Sequence, residues 1–222
     1  MSLNKVFELI RREDVVLWAG SGFSLYAGYP TGNKLSEIIY ASLSAGERED
    51  IGNHTSLIDL ADHYVRIKGG SRNPLMTILR DQFAREPKTI KWHQMLAKVP
   101  HIKTIVTANY DCLFEKAYRD NITSVITEDQ VPYLNNKTEL FKIHGDIYSP
   151  SSIIITRSDY TDHFMNEVTN NLIWSTIKAR IAAKAVVFVG YDMEDDNIKM
   201  VLKKLDLAMG SNKKEMFLIA WI

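Results

Sequence analysis

Three short strings in this chain carry residues that could do chemistry together. The first runs from Gly20 to Pro30 as GSGFSLYAGYP. Residues without bulky side chains let backbone amides approach a diphosphate, and Ser24 adds a hydroxyl donor near the start of a following helix. The second, TANYD at Thr107 to Asp111, offers Asn109, whose amide has two donors and an acceptor and can fix a hydroxyl and a water at once. The third, IHGD at Ile143 to Asp146, holds a histidine between a β-rich run and a glycine. An imidazole there suits general-base work, because its unperturbed pKa lies near neutrality.

Each string also has a plainer reading. The glycines could make a tight strand-to-helix turn, Asn109 or Asp111 could cap the helix that starts near Tyr110, and a lone strand-end histidine could be structural. Gly28 falls six residues after Gly22, so the GxGxxG dinucleotide fingerprint is not met and an ordinary dehydrogenase is disfavoured.

Something must bring the strings together, and the chain alternates short β-rich runs with longer helical patterns, the mark of a parallel sheet covered by helices. VVLWAG (15–20) reads as a buried first strand feeding the glycine turn, and KTIVTAN (103–109) repeats the form. TELFKIHG (138–145), IIIT (153–156), AVVFVGY (185–191) and EMFLIAWI (215–222) are further strand candidates. The main runs break into polar or glycine residues at their C-terminal ends, the edge at which open α/β sheets bind ligands. Between the first two strands, segments 33–45, 55–69, 73–85 and 90–99 place apolar residues at helical spacing, and Asn73-Pro74 is a good helix start. The expectation is one α/β domain over residues 1–222, Rossmann-like and doubly wound, with a mainly parallel sheet and a helical insertion module at about 33–100.

Composition sets limits. The chain has 222 residues, 45% hydrophobic, with Lys plus Arg equal to Asp plus Glu at 27 each, so no net field draws it to nucleic acid or an anionic membrane. The single cysteine, Cys112, excludes an intramolecular disulfide or a multi-cysteine zinc knuckle and fits a small apolar residue on the inner face of a helix. No apolar run approaches the roughly 20 residues needed to cross a bilayer, and the N-terminus lacks a secretory core, so a soluble cytoplasmic protein is expected. His54, His63, His93, His101 and His163 lack metal-ligand spacing and read as surface or packing residues; no metal site is expected.

The ordered combination of strings resembles the nicotinamide-dinucleotide site of the sirtuin superfamily. Gly20, Gly22, Ser24, Gly28 and Pro30 satisfy its G-x-G-x-S-x-x-x-G-x-P pattern. The Asp-Phe-Arg that normally follows is replaced by Thr31, Gly32 and Asn33, and the zinc cysteines of sirtuin deacylases are missing. Both departures are similar to the divergent, zinc-free sirtuin-like domains of prokaryotic anti-phage defence proteins. The resemblance implies NAD as substrate, held by Gly20, Ser21, Gly22, Ser24, Asn109, Asp111, His144, Gly190 and Tyr191. Asn109 would contact the nicotinamide ribose and help place water, Asp111 would lie on the nicotinamide side, and FVGYDMEDDNI (188–198) would follow the adenosine half, with Asp195 and Asp196 as acidic candidates. His144 is then the general base.

The activity so implied is NAD glycohydrolase, releasing nicotinamide with linear or cyclic ADP-ribose. An NAD-dependent lysine deacylase and a non-catalytic NAD or ADP-ribose sensor are the alternatives. A homo-oligomer, or a fused or associated sensing domain, is the expected partner, and the apolar ending MFLIAWI suggests a natural protein that continues past Ile222. The string ITRSDY (155–160) also recurs in the divergent group and has no assigned role.

Overall fold

Val15–Ala19 (β1) is apolar at all five positions and fully buried, as a central parallel strand covered on both faces must be. In the computed structural model, which describes residues 3–51, 56–162, 171–191 and 214–219, it pairs in parallel with Thr104–Thr107 (β2) on one side and Ala185–Val189 (β5) on the other. Ile122–Val125 (β3), Thr138–Lys142 (β4) and Met216–Ile219 (β6) complete a six-stranded sheet of order β3-β4-β2-β1-β5-β6, parallel at every pairing. The mainly parallel, doubly wound α/β expectation is met.

Period-two alternation decides which helices cover which face. Val16 and Trp18 join Phe141, Val186 and Phe188 under Leu172–Ala183 (α9), which supplies Ile173, Trp174, Ile177 and Ile181. Val15, Leu17 and Ala19 point the other way, onto Val6 of Leu3–Arg11 (α1) and onto Phe114 and Tyr118 of Leu113–Tyr118 (α7). The chain leaves β1 toward β2 and comes back on the far side as β5. That reversal opens a crevice at the C-terminal strand ends.

Among the described residues, five α-helices lie between β1 and β2: Gly32–Ala41 (α2), Ala45–Ile51 (α3), Leu57–Ile67 (α4), Asn73–Phe83 (α5) and Lys91–Ala97 (α6). Thr31 caps α2 and Ser56 caps α4 through side-chain oxygens, and Pro74 opens α5 in its first turn. Leu35, Ile39, Leu60, Leu75 and Leu79 pack into a core of their own, which also takes in Tyr110, Ile153 and Ile155.

One strand expectation is overturned and one strand was not foreseen. IIIT (153–156) is buried but irregular, because its backbone finds side-chain and loop partners where a strand would need a neighbour. Arg72 donates to the Ile153 carbonyl, Tyr110 to the Ile154 carbonyl, and the Ile154 amide donates to His144 O. β3 was missed because ITSV is short, only its last residue is fully buried, and it sits at the sheet edge.

Candidate active site

The glycine turn leaves β1 as a 3-10 helix over Ser21–Ala27. Its glycines are needed first for contact between two loops. The Gly20 amide donates to Val189 O (2.9 Å) and the Gly22 amide to Gly190 O (2.8 Å), joining the tips of β1 and β5. Gly190 has φ +69°, and a Cβ there would fall 2.2 Å from the Phe23 nitrogen; a Cβ on Gly20 would fall 2.7 Å from Gly190 O. These two amides are therefore engaged by protein carbonyls and do not face a diphosphate. Ser21 and Ser24 are the residues of this turn that line the adjoining cleft.

Asn109 follows β2 and is buried. Its Nδ2 donates to Gly20 O (3.0 Å) and to Ser24 Oγ (3.1 Å), while Thr107 Oγ1 donates to Ala19 O and accepts from the Asn109 amide. The side chain thus ties the second string to the first. Both amide protons are engaged, so Oδ1 is what Asn109 can offer a ligand. Asp111 is 2% exposed; its Oδ1 accepts from the Leu113 amide at the start of α7, and its Oδ2 has no hydrogen-bond partner. Burial pushes this carboxyl up, against the Leu113 amide, the Ser24 hydroxyl and the Lys142 ammonium, which favour the anion.

A buried charge layer lies under these turns. Lys142, the last residue of β4, donates through Nζ to Asp111 O (2.7 Å) and Glu115 Oε1 (3.3 Å) and pairs with Asp146 Oδ2. Burial works to lower its pKa, but Glu115, Cys112 and Asp146 outweigh it and hold the ammonium above its usual range. Asp146 in turn accepts from the Tyr148 amide and the Cys112 thiol, so one lysine binds the second string to the third. Cys112, Glu115 and Asp146 could between them offer a metal three ligand atoms, yet the ammonium already bonds to all three. The Cys112 thiol is half-buried, burial pushes its pKa up, and it sits as a member of this polar layer at the start of α7, where an apolar position on the helix face was expected.

His144 lies two residues past the end of β4, 5% exposed, with the Tyr160 hydroxyl 3.4 Å from each ring nitrogen. Gly145 turns the chain at φ +86°, where a Cβ would overlap the Ser152 carbonyl. Ser21, Ser24, Asn109, Asp111, His144 and Tyr191 all line one cleft. The roof is apolar, made by Leu35, Leu57, Ile58 and Phe83 of the helices between β1 and β2.

Among the sequence-predicted residues, Gly20, Gly22 and Gly190 lie behind the cleft as packed backbone, and Tyr191 covers Gly20 with its ring. Asp195, Asp196, His54 and His163 lie outside the described residues. Lys142, Thr107 and Tyr160 were missed. A lysine in the strand LFKI was the available signal, because an unpaired charge is not buried in a central strand.

Similarity to known proteins gives the family. The SIR2-like domain profile matches residues 103–221. The chain belongs to the SIR2-like domain family. It is 29% identical over 226 residues to the NAD(+) hydrolase ThsA of Enterococcus faecium, covering 98% of this chain and 45% of that protein. The ThsA of Bacillus cereus (strain MSX-D12) is 25% identical over 218 residues, and the defence-associated sirtuin 2 of Bacillus subtilis 29% over 212. This SIR2-like chain spans about half the length of the ThsA relatives and 20% of the Bacillus subtilis protein. A solved Sir2 structure holding the inhibitor EX-527 is 13% identical, with a TM-score of 0.46, and the match covers 97% of this chain and 85% of that one.

Proposed function

We propose that the chain is an NAD glycohydrolase that breaks the bond between nicotinamide and ribose. The observation that carries this is the convergence of Ser24, Asn109, Asp111 and His144 on one cleft at the strand-order reversal. The names of the curated relatives support the substrate and the reaction.

Cleavage sends the electron pair of the C1′–N bond to the pyridinium nitrogen, which leaves as neutral nicotinamide. The ribose carbon becomes oxocarbenium-like, so catalysis needs a placed nucleophile and stabilised hydroxyls more than a strong acid. Asn109 Oδ1 accepts a hydrogen bond from a ribose hydroxyl or the incoming water, held at that position by its bonds to Gly20 and Ser24. His144 takes the proton and returns it to solvent. Water oxygen ends on C1′, giving ADP-ribose; an adenine nitrogen in its place gives the cyclic form. Asp111, buried with one oxygen unpartnered, lines the same cleft and is assigned to the nicotinamide side.

We place this activity in anti-phage defence in the cytoplasm; no helix among the described residues is long and apolar enough to cross a membrane. An enzyme that consumes NAD has to be restrained in its own cell, so gating of the cleft by self-association or by an attached sensing segment belongs to the proposal. The test is nicotinamide release from NAD. His144→Ala and Asn109→Ala should each lose about 100-fold or more, the usual weight of general-base and positioning groups, with the melting temperature followed in parallel. Equal release by folded wild type and both variants would end the assignment.

A further inference from the structure

ITRSDY has no place in that reaction, yet every polar side chain in it is engaged. Arg157–Tyr160 (α8) is a single turn. Thr156 Oγ1 accepts from the Asp159 amide (3.2 Å), and Asp159 Oδ2 accepts from the amides of Ile155 (3.0 Å) and Thr156 (2.9 Å), a closed capping box. The second oxygen of Asp159 pairs with Arg72 at the start of α5, and Arg157 pairs with Asp59 on α4. Arg72 also donates to Ile153 O (2.9 Å). The segment is thus fastened at Arg157 and Asp159 to the helices that roof the cleft.

What this fastening presents is Tyr160. Its ring stands edge-on to the His144 imidazole, with centroids 5.2 Å apart and planes at 75°, and both residues line the cleft. The hydroxyl is equidistant from Nδ1 and Nε2 at 3.4 Å. Either nitrogen is within its reach. The same stretch of chain holds the histidine backbone, since the Ile154 amide donates to His144 O (3.1 Å). A base needs one nitrogen aimed at its proton and the other fixed, and a phenolic hydroxyl can donate to a bare nitrogen or accept from an N–H.

We propose that Tyr160 is a positioning residue for NAD cleavage, its hydroxyl orienting the His144 imidazole and α8 holding that hydroxyl in place. This rests on the glycohydrolase reading. Two readouts keep the failure of one apart from the failure of the other. The first is steady-state kinetics of the 222-residue chain and of Tyr160→Phe, which keeps the ring and removes only the hydroxyl. Tyr160→Phe should lower kcat about five- to tenfold, the weight of one neutral hydrogen bond, and leave KM for NAD within about twofold. The second is the ¹⁵N NMR signature of the His144 ring, assigned by its loss in His144→Gln, which should show a changed tautomer balance in Tyr160→Phe.

A kcat equal to wild type with an unchanged His144 signature overturns the proposal. A raised KM at unchanged kcat also overturns it, making the hydroxyl a substrate contact. If wild type turns over no NAD, the nitrogen spectrum alone decides: a changed signature upholds the positioning role and an unchanged one removes it.

Discussion

The two sides of the cleft are supported by opposite chemistry. Beneath the Asn109 and His144 turns lies the Lys142 layer, in which a fully buried ammonium bonds to a carbonyl, two carboxylates and a thiol. Beneath the glycine turn lies His93, also fully buried, stacked on Tyr26 with Phe23 tilted against it at 4.7 Å and Phe114 edge-on at 4.6 Å between centroids. The Tyr26 hydroxyl shares a hydrogen bond with its Nδ1 (2.7 Å) and accepts from its amide, while its Nε2 has no partner. The lysine stays charged because its partners demand it, and the histidine stays neutral because nothing offsets desolvation. One support is directional and fixes atoms; the other is a matter of shape.

The largest effect should come from the charged side. Lys142→Met leaves Glu115 and Asp146 buried without a cation and should cost about 3–5 kcal/mol in urea unfolding. Adding Asp146→Asn should recover part of that loss. A cost below about 1 kcal/mol would erase the contrast between the two supports.

The aromatic side should respond to acid. Burial takes the His93 pKa from 6.5 to about 3. The unfolded chain therefore binds a proton that the folded one refuses. Its contribution is whole above pH 6.5 and is lost as pH falls toward the folded value, at about 1.4 kcal/mol per unit, or about 2 kcal/mol by pH 5. His93→Phe should remove that share of the acid slope while keeping the stack. An acid slope identical to wild type would show that His93 is not the group that titrates.

The smallest effect is expected at the exposed pair that fastens α8. Arg157→Ala should change stability by about 0–1 kcal/mol, and less at high salt. A larger loss that persists at high salt would mean that packing, not charge, holds α8.

Much of this was legible beforehand. β1, β2, β4 and β5 announced themselves as short apolar runs that end in polar or glycine residues, and the three strings gave the family because their order is more specific than any one of them. IIIT misled for a physical reason. Three isoleucines signal burial, and burial in an irregular segment looks the same as in a strand when Arg72 and Tyr110 stand far off in sequence. The glycines were read as room for a ligand, when Gly20 and Gly190 leave room for each other. The lysine in LFKI signalled a buried charge but not its partners, and Tyr160 gave no signal of its contact with His144, because both sets of partners are fixed only by the meeting of distant segments.

The contact between Gly22 and Gly190 has one more consequence. With backbone against backbone at the strand tips, that seam has a fixed width which no change of side chain elsewhere can adjust. A single methyl on Gly190 would act as a wedge against the Phe23 nitrogen. Ser24, and through it Asn109, would be carried off station without either residue being touched.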